Sequence, residues 1–253
     1  LIYLEMPNFS KAEGDLQSNF DKWIYVLQQL PYLQNRPQAL QDRIFQKLFE
    51  AAEIAKFTPD EKNKYEESLK YYRDLKNVVT TEYNIEGNPI KSFIDLVLQI
   101  KPTQVTLVPD ADDAITSNAG WDTITNHSFL KEVIQEFQQN GIRTSIFIDT
   151  DLKLIEAAAK TGTDRIELYT EYFAGAYEKG DKQAIKPYTE AALFAHKLGL
   201  GINAGHDLNL ENIEFFKQNI PNLAEVSIGH ALISESLYLG LQNVVNMYLH
   251  RLS

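Results

Sequence analysis

Residues able to donate and accept protons lie within or at the ends of short apolar runs in the second two-thirds of the chain. Glu86 ends one run, Glu167 interrupts another and His206 closes a third. Carboxylates and imidazoles serve as acids and bases near neutral pH when burial and neighbours adjust their pKa values. Gly229 and His230 form a turn before the last helical stretch, and its N–H groups and helix dipole suit a phosphate. These residue types indicate acid–base catalysis on a phosphorylated small molecule.

Each of these residues also has a purely structural interpretation. A glutamate inside a strand is often paired with Arg or Lys, and Gly205 or Gly229 alone would be a turn glycine. A metal site built from Glu86, Glu167 and His206 is conceivable, but no close-spaced ligand pair such as His-x-x-x-His supports it. The convergence of two carboxylates and two histidines favours catalysis, and we assign no chemistry to the remaining histidines, His127, His196 and His250.

The elements that must position these residues follow a regular alternation. From about residue 78, short apolar runs alternate with helical stretches, which predicts a parallel sheet covered by helices. Strands are predicted near 79–86, 103–108, 143–148, 164–170, 200–206 and 224–229, and the runs 105–108 and 145–148 are apolar enough for burial on both faces. We therefore predict an α/β fold, an incomplete (β/α)₈ TIM-type barrel with six βα units. In such folds the reactive groups collect at the carboxyl ends of the strands.

The first part of the chain has a different pattern. Residues 1–6 are predicted to be a strand, and residues 17–76 show only helical periodicity, including a capping box at 58–61. The chain begins with Leu1 instead of methionine, which raises the hypothesis that it is a fragment. We predict a mainly helical segment ahead of the barrel.

Composition excludes several classes of protein. With 253 residues, 44% hydrophobic and 23% charged, the chain is predicted to fold into a globular structure. No apolar run is long enough for a membrane helix and no leader is evident, so we predict a cytoplasmic protein without a membrane partner. The absence of cysteine excludes disulfides and a cysteine nucleophile. Residues 81–253 hold 13 basic and 23 acidic side chains, against 11 and 12 before them, which disfavours nucleic-acid binding there.

Five motifs carry a resemblance to a known family. They are Thr81-Glu-Tyr-Asn-Ile-Glu-Gly87, Lys101-Pro-Thr-Gln-Val-Thr-Leu-Val-Pro109, Ile115-Thr-Ser-Asn-Ala-Gly-Trp-Asp122, Asn203-Ala-Gly-His206 and Ser227-Ile-Gly-His230. From about residue 77 to its end, the chain resembles the pyridoxine 5′-phosphate synthase family of vitamin B6 biosynthesis. The resemblance implies condensation of 3-amino-2-oxopropyl phosphate with 1-deoxy-D-xylulose 5-phosphate, no redox or metal cofactor, and assembly into homo-oligomers.

The resemblance also implies a role for each matched residue. Glu86 matches a proton acceptor, Glu167 a carboxylate that stabilises cationic intermediates, and His206 the proton donor. In addition, Thr116 matches a contact to the pentulose phosphate, and Asp207, Gly229 and His230 match contacts to the amino-ketone phosphate. Because the position of Asp207 is often glycine in the family, only a backbone contact is expected there.

The family pattern is interrupted at its front. The family's first two strands carry an Asn-x-Asp-His and a His-x-Arg motif, whereas residues 1–76 contain no histidine. Segments 1–9, 21–25 and 65–75 instead resemble the C-terminal helical part of a PD-(D/E)XK nuclease-type transposase. We therefore predict two domains, 1–76 and 77–253, joined near residues 73–77. A gene fusion, an assembly artefact and a deliberate chimera would all produce this pattern.

Three functional hypotheses follow. The first is a vitamin B6 synthase whose turnover is impaired by the missing front strands. The second is a nucleic-acid-associated module based on residues 1–76, against which its near-neutral charge counts. The third is an inert or interaction-only product, in which two open sheet edges pair with another chain or with residues 1–6.

Overall fold

A computed structural model of the chain describes residues 11–16, 18, 21–22, 25, 40, 70–110 and 119–253. The predicted strand at 1–6, the capping box at 58–61 and Thr116 lie outside the described residues, as does most of the predicted front helical segment. The chain forms two compact units, residues 1–70 and 71–253. In the first, a short 3₁₀ helix spans Glu13–Asp15, and Lys11 forms an ion pair of 2.8 Å with Asp21.

The second unit is built on one sheet of six parallel strands that pair in chain order. They are β1 (Asn84–Gly87), β2 (Gln104–Leu107), β3 (Arg143–Ile148), β4 (Arg165–Tyr169), β5 (Gly201–Gly205) and β6 (Leu223–Ser227). Within the described residues, β1 and β6 are the two edges of the sheet. The α/β fold and the incomplete barrel of six βα units are confirmed.

Helices connect the strands and cover one face of the sheet. Residues 70–78 are helical, and the later helices span Lys91–Ile100, His127–Gln139, Leu152–Thr161, Glu171–Glu178, Lys186–Lys197, Ile213–Asn219, His230–Leu239 and Leu241–Leu252, with a 3₁₀ helix at Lys182–Ile185. The first strand begins later than predicted, at Asn84, because the β-branched pair Val78-Val79 ends the preceding helix. The N–H of Val79 still donates to the carbonyl of Leu75.

None of the described helices is long and apolar enough to cross a membrane.

Alternation along the strands separates an apolar outer face from a polar inner face. Because successive side chains point to opposite faces, Val105, Ile146 and Ile166 face the helices, where they join a core with Val133 and Phe216. The inner positions between them hold Gln104, Thr106, Ser145, Glu167 and Asn203, each at most 1% exposed. The runs 105–108 and 145–148 are buried on both faces as predicted, but a single polar residue in each faces inward.

An ion-pair cluster joins the two edges of the sheet at the amino ends of the strands. The carboxylate of Glu225 on β6 accepts from Arg165 at 2.8 Å and from Arg143 at 3.3 Å, and it also accepts from the amide of Gln104 at 3.1 Å. Arg143 pairs in addition with Glu82, directly before β1. The cluster therefore links β6 to the start of β1 through side chains, although no backbone ladder connects these strands among the described residues.

The two C-terminal helices differ in burial. Val244 and Tyr248 of the last helix pack on Leu210 and Ile213 in a small separate core. The helix His230–Leu239, in contrast, has no buried residue, and Leu237 and Tyr238 are 81% and 89% exposed.

Candidate active site

Two carboxyl groups come together on the inner face near the carboxyl ends of the strands. Glu167 on β4 is 1% exposed, and burial together with the charge of Glu86 raises its pKa well above the usual value of 4.5. Glu86 on β1 remains exposed to water on the concave face, yet the protein atoms around its carboxyl also raise its pKa through desolvation. The two carboxyls titrate as a coupled pair, because the charge of Glu86 disfavours ionisation of Glu167.

Ser227, at the end of β6, lies between these carboxyls. Its side chain hydrogen-bonds to both Glu86 and Glu167, and each bond lowers the pKa of the carboxyl concerned. A hydroxyl has only one hydrogen, so the serine donates to one of the two carboxyls at a time. Ser227 thus connects the two edge strands through the site.

A second set of hydrogen bonds links the same carboxyls on their other side. The hydroxyl of Thr106 donates to Oε2 of Glu167 at 3.3 Å, and the amide of Asn84 donates to Oε1 of Glu86 at 3.0 Å. The Asn84 amide also donates to the Thr106 hydroxyl at 3.2 Å. These neutral side chains hold the carboxyls in place without adding charge.

Gly205 makes room for the buried carboxyl. It is the last residue of β5, opposite Tyr169 in β4 and Ser227 in β6. A β-carbon at this position would overlap Oε1 of Glu167 and lie 3.2 Å from the β-carbon of Ser227. Gly205 thus lies in a strand and not in a turn, and its lack of a β-carbon makes room for the Glu167 carboxyl.

His206 follows directly and brings an imidazole to the same face. Its φ of 79° lies in the left-handed region, which costs a residue with a β-carbon about 1–3 kcal/mol. The ring packs edge-on against Tyr169, with centroids 5.1 Å apart, and lies 6.4 Å from Phe147. Its charge lowers the pKa of Glu86, so the histidine is within electrostatic reach of the carboxyl pair.

Asp207 contributes more than the backbone contact expected from the sequence. Its Oδ2 lies 2.6 Å from Nδ1 of His206, and its side chain is 42% exposed. The prediction for this position considered only the backbone because glycine often stands there in the family. In the structure, the carboxylate of Asp207 lies beside His206, the predicted proton donor.

Gly229 and His230, the predicted phosphate contacts, lie shortly after β6. Gly229 precedes the first residue of the helix His230–Leu239, which follows β6 after two residues, and both residues are exposed. A β-carbon on Gly229 would meet no atom within 4 Å. The turn is therefore open to a ligand, while Glu86, Glu167 and His206 form the inner part of the site.

In the motif 115–122, which contains Thr116, the second half has a structural role. Thr116 itself lies outside the described residues, whereas Gly120 packs so closely on the end of β3 that a β-carbon would overlap the backbone of Ile148 and Asp149. The N–H of Gly120 donates to Asp149 at 3.0 Å, and Trp121 enters the core. This half of the motif anchors the loop after β2 to β3.

Four side chains of this site were not predicted from the sequence, namely those of Asn84, Thr106, Asp207 and Ser227. Ser227 stood in a quoted motif, but only Gly229 and His230 were singled out there. Thr106 and the side chain of Asp207 were missed because a threonine in a strand and an acid after a histidine carry no specific signal. Among the described residues, no group of three or more His, Asp or Glu side chains could hold a metal ion.

Comparison with known proteins decides the family. A model of the family described as pyridoxal phosphate biosynthesis protein PdxJ matches residues 34–253. The chain belongs to the PdxJ family. The match begins well before residue 77, so it includes part of the segment that we assigned to a transposase-like domain.

Relatives with high identity support the assignment to the PdxJ family. The chain is 70% identical over 195 residues to the pyridoxine 5′-phosphate synthase of Flavobacterium johnsoniae, which covers 77% of this chain and 81% of that protein. It is 66% identical over 177 residues to the synthase of the same name from Christiangramia forsetii, covering 70% and 75%. The corresponding protein of Cytophaga hutchinsonii is 57% identical over 195 residues, covering 77% and 80%.

A solved structure supports the fold of this PdxJ family member. The 3-keto-L-gulonate-6-phosphate decarboxylase of Vibrio cholerae superposes with a TM-score of 0.51 at 10% identity, covering 73% of this chain and 78% of that one. At this identity the likeness concerns the fold alone.

Proposed function

We propose that the chain catalyses pyridoxine 5′-phosphate synthesis, the condensation of 3-amino-2-oxopropyl phosphate with 1-deoxy-D-xylulose 5-phosphate in vitamin B6 biosynthesis. The observation that carries this proposal is the placement of Glu86, Glu167 and His206 on one inner face, in a chain of the PdxJ family. Relatives with 57–70% identity bear the name of this enzyme.

The proposed proton acceptor is Glu86, which water and substrate can reach on the concave face. Its raised pKa makes its carboxylate a stronger base than an ordinary glutamate. His206 is the proposed proton donor, and its charge acts on Glu86 across the site. The two groups together can remove and return protons during ring closure.

The proposed role of Glu167 is to stabilise cationic intermediates. Burial and the charge of Glu86 favour its protonated form. A cation next to the carboxyl lowers its pKa, so Glu167 gives up its proton when the positive charge develops and then stabilises that charge. Ser227, hydrogen-bonded to both carboxyls, offers a route for the proton toward Glu86.

The proposed phosphate contacts are Thr116 for the pentulose phosphate, and Gly229, His230 and the backbone of Asp207 for the amino-ketone phosphate. Support comes from the open turn at Gly229, whose helix begins at the carboxyl end of β6. No metal or redox cofactor is proposed. Since the family's two front strands supply another base and further phosphate contacts, we expect turnover below that of family members that carry both motifs.

The test is turnover of both phosphorylated substrates by the 253-residue chain, with phosphate release and pyridoxine 5′-phosphate formation followed together. Activity that falls by about 10²–10⁴-fold in Glu86→Gln supports the proposal, because this is the usual contribution of a general acid or base. A folded chain without product formation would favour the inert alternative. Rates typical of the family would overturn the predicted impairment.

The division into domains 1–76 and 77–253, and a transposase origin of the first, stay predictions. The family match over residues 34–76 counts against that origin for this part. Salt-sensitive binding of duplex DNA by the full chain would support the nucleic-acid-associated alternative. Its absence at low salt would exclude it.

We also propose a cytoplasmic location and a homo-oligomer, as in the family. The exposed apolar side chains of Ile233, Leu237 and Tyr238, on the helix that follows β6, support self-association. Sedimentation showing only a monomer at micromolar concentration would contradict the oligomer.

A further inference from the structure

The contact between His206 and Asp207 restricts which ring nitrogen carries a proton. Oδ2 of Asp207 lies 2.6 Å from Nδ1 of His206. An ionised carboxylate can only accept a hydrogen bond, so Nδ1 is the donor and holds its hydrogen. The second nitrogen, Nε2, is then the one that exchanges protons with a substrate.

The backbone is folded to make this contact between neighbours in sequence. His206 has a φ of 79°, and its carbonyl accepts from the N–H of Leu208 in a tight turn. Asn209 and Asn212 hold the following loop: the side chain of Asn212 accepts from the Asn209 N–H at 2.9 Å, and that of Asn209 accepts from the Asn212 N–H at 3.1 Å. The position of Asp207 is therefore set by a braced loop.

The ring of His206 is held from the other side as well. Tyr169 of β4 meets the imidazole edge-on at 87°, and Phe147 of β3 completes an aromatic wall. Glu86 of β1 also acts on His206 electrostatically. The aromatic rings define the plane of the imidazole, whereas Asp207 is the group that distinguishes its two nitrogens.

We propose that Asp207 is a positioning residue that fixes His206 as the Nδ1–H tautomer and thereby presents Nε2 to the substrate. When protonated His206 gives its Nε2 hydrogen to a substrate oxygen, the N–H bond breaks, the O–H bond forms, and the Nδ1 hydrogen stays on the bond to Asp207. This inference rests on the proposed function insofar as His206 acts as the proton donor there. It assigns a role to the side chain of Asp207, in addition to the backbone contact proposed above.

The first test reads the tautomer directly. Proton–nitrogen correlation spectra of the full chain with ¹⁵N-labelled histidine would be recorded above neutral pH, with His206→Gln identifying the resonances of His206. We expect Nδ1-protonated shifts in the unaltered chain and a change toward the Nε2–H form in Asp207→Ala. Glu211→Gln, which removes an exposed negative charge from the same loop, should leave the spectrum of His206 unchanged. Nδ1-protonated shifts that persist in Asp207→Ala would overturn the proposal.

The second test separates positioning from substrate binding. We expect Asp207→Ala to lower kcat by about tenfold with little change in KM, since general acid catalysis as a whole contributes about 10²–10⁴-fold. Asp207→Asn, whose amide oxygen still accepts from Nδ1, should keep the tautomer and recover part of kcat. A change in KM alone would overturn the proposal by making Asp207 a substrate contact. The unaltered chain could show no turnover while the His206 tautomer still changes in Asp207→Ala. That result would refute the proposed function and support this inference.

Discussion

The carboxyl of Glu167 occupies the space that a β-carbon on Gly205 would need. Oε1 of the glutamate lies against the glycine, and its Oε2 accepts a hydrogen bond from Thr106 at 3.3 Å. A β-carbon at position 205 would therefore push the carboxyl away from this position. The glycine at position 205 on β5 thus leaves the space that the Glu167 carboxyl on β4 occupies.

Gly205→Ala is expected to displace the Glu167 carboxyl and to reduce turnover at least tenfold. The added methyl also overpacks the inner face, which typically costs about 1–3 kcal/mol of the free energy of unfolding. Steady-state kinetics and urea unfolding measure the two effects. Gly175→Ala is the matched control: it lies in the helix Glu171–Glu178 with no atom within 4 Å of a β-carbon, so its stability should be unchanged or slightly higher. Equal effects in both variants would contradict the steric role of Gly205.

Much of this architecture could be predicted from the sequence. The alternation of apolar runs and helical stretches predicted six parallel strands, and the rule for carboxyl ends placed Glu86 and His206 together. The polar inner face could not be predicted, because Thr106 and Ser145 resemble ordinary strand residues until the curvature of the sheet shows which face they occupy. The same holds for Glu225, whose partners come from strands distant in sequence.

Glu167→Gln, which removes an ionisable group, is expected to change how the Tm depends on pH. The raised pKa means that the folded state keeps a proton that the unfolded chain loses above about pH 4.5. The resulting stabilisation is complete below that pH and is lost as the pH rises toward the folded-state pKa. Thermal unfolding from pH 4 to 8 should show the Tm of the unaltered chain falling relative to that of Glu167→Gln. A constant difference between the two would contradict the raised pKa.

Glu225→Gln is expected to destabilise the fold by about 1–3 kcal/mol. The change removes the negative charge that Arg143 and Arg165 share, and these guanidinium groups are only partly exposed. Guanidinium chloride unfolding measures the loss. The control is Glu156→Gln, which breaks an exposed ion pair with Lys160 and should cost at most about 0.5 kcal/mol. A similar small cost in Glu225→Gln would show that the cluster does not stabilise the sheet.

Ser227→Ala is expected to move the acidic limb of the activity profile to higher pH. The serine hydroxyl lowers the pKa of Glu86 and of Glu167, so its removal raises both. Glu86 must be ionised to accept a proton, and in the variant it reaches that form only at a higher pH. The pH dependence of kcat/KM reports this shift in the free enzyme.

The control for Ser227 is Ser234→Ala, because the Ser234 hydroxyl is exposed and bonds to the carbonyl of His230 within its own helix. This variant should keep the acidic limb of the unaltered chain, since no hydrogen bond to a carboxyl of the site is lost. A limb that stays in place in Ser227→Ala, or moves to lower pH, would mean that the serine does not stabilise the ionised carboxyl. A shift upward only in Ser227→Ala would assign this serine to the tuning of the proton acceptor, a role that its place in the glycine–histidine motif did not reveal.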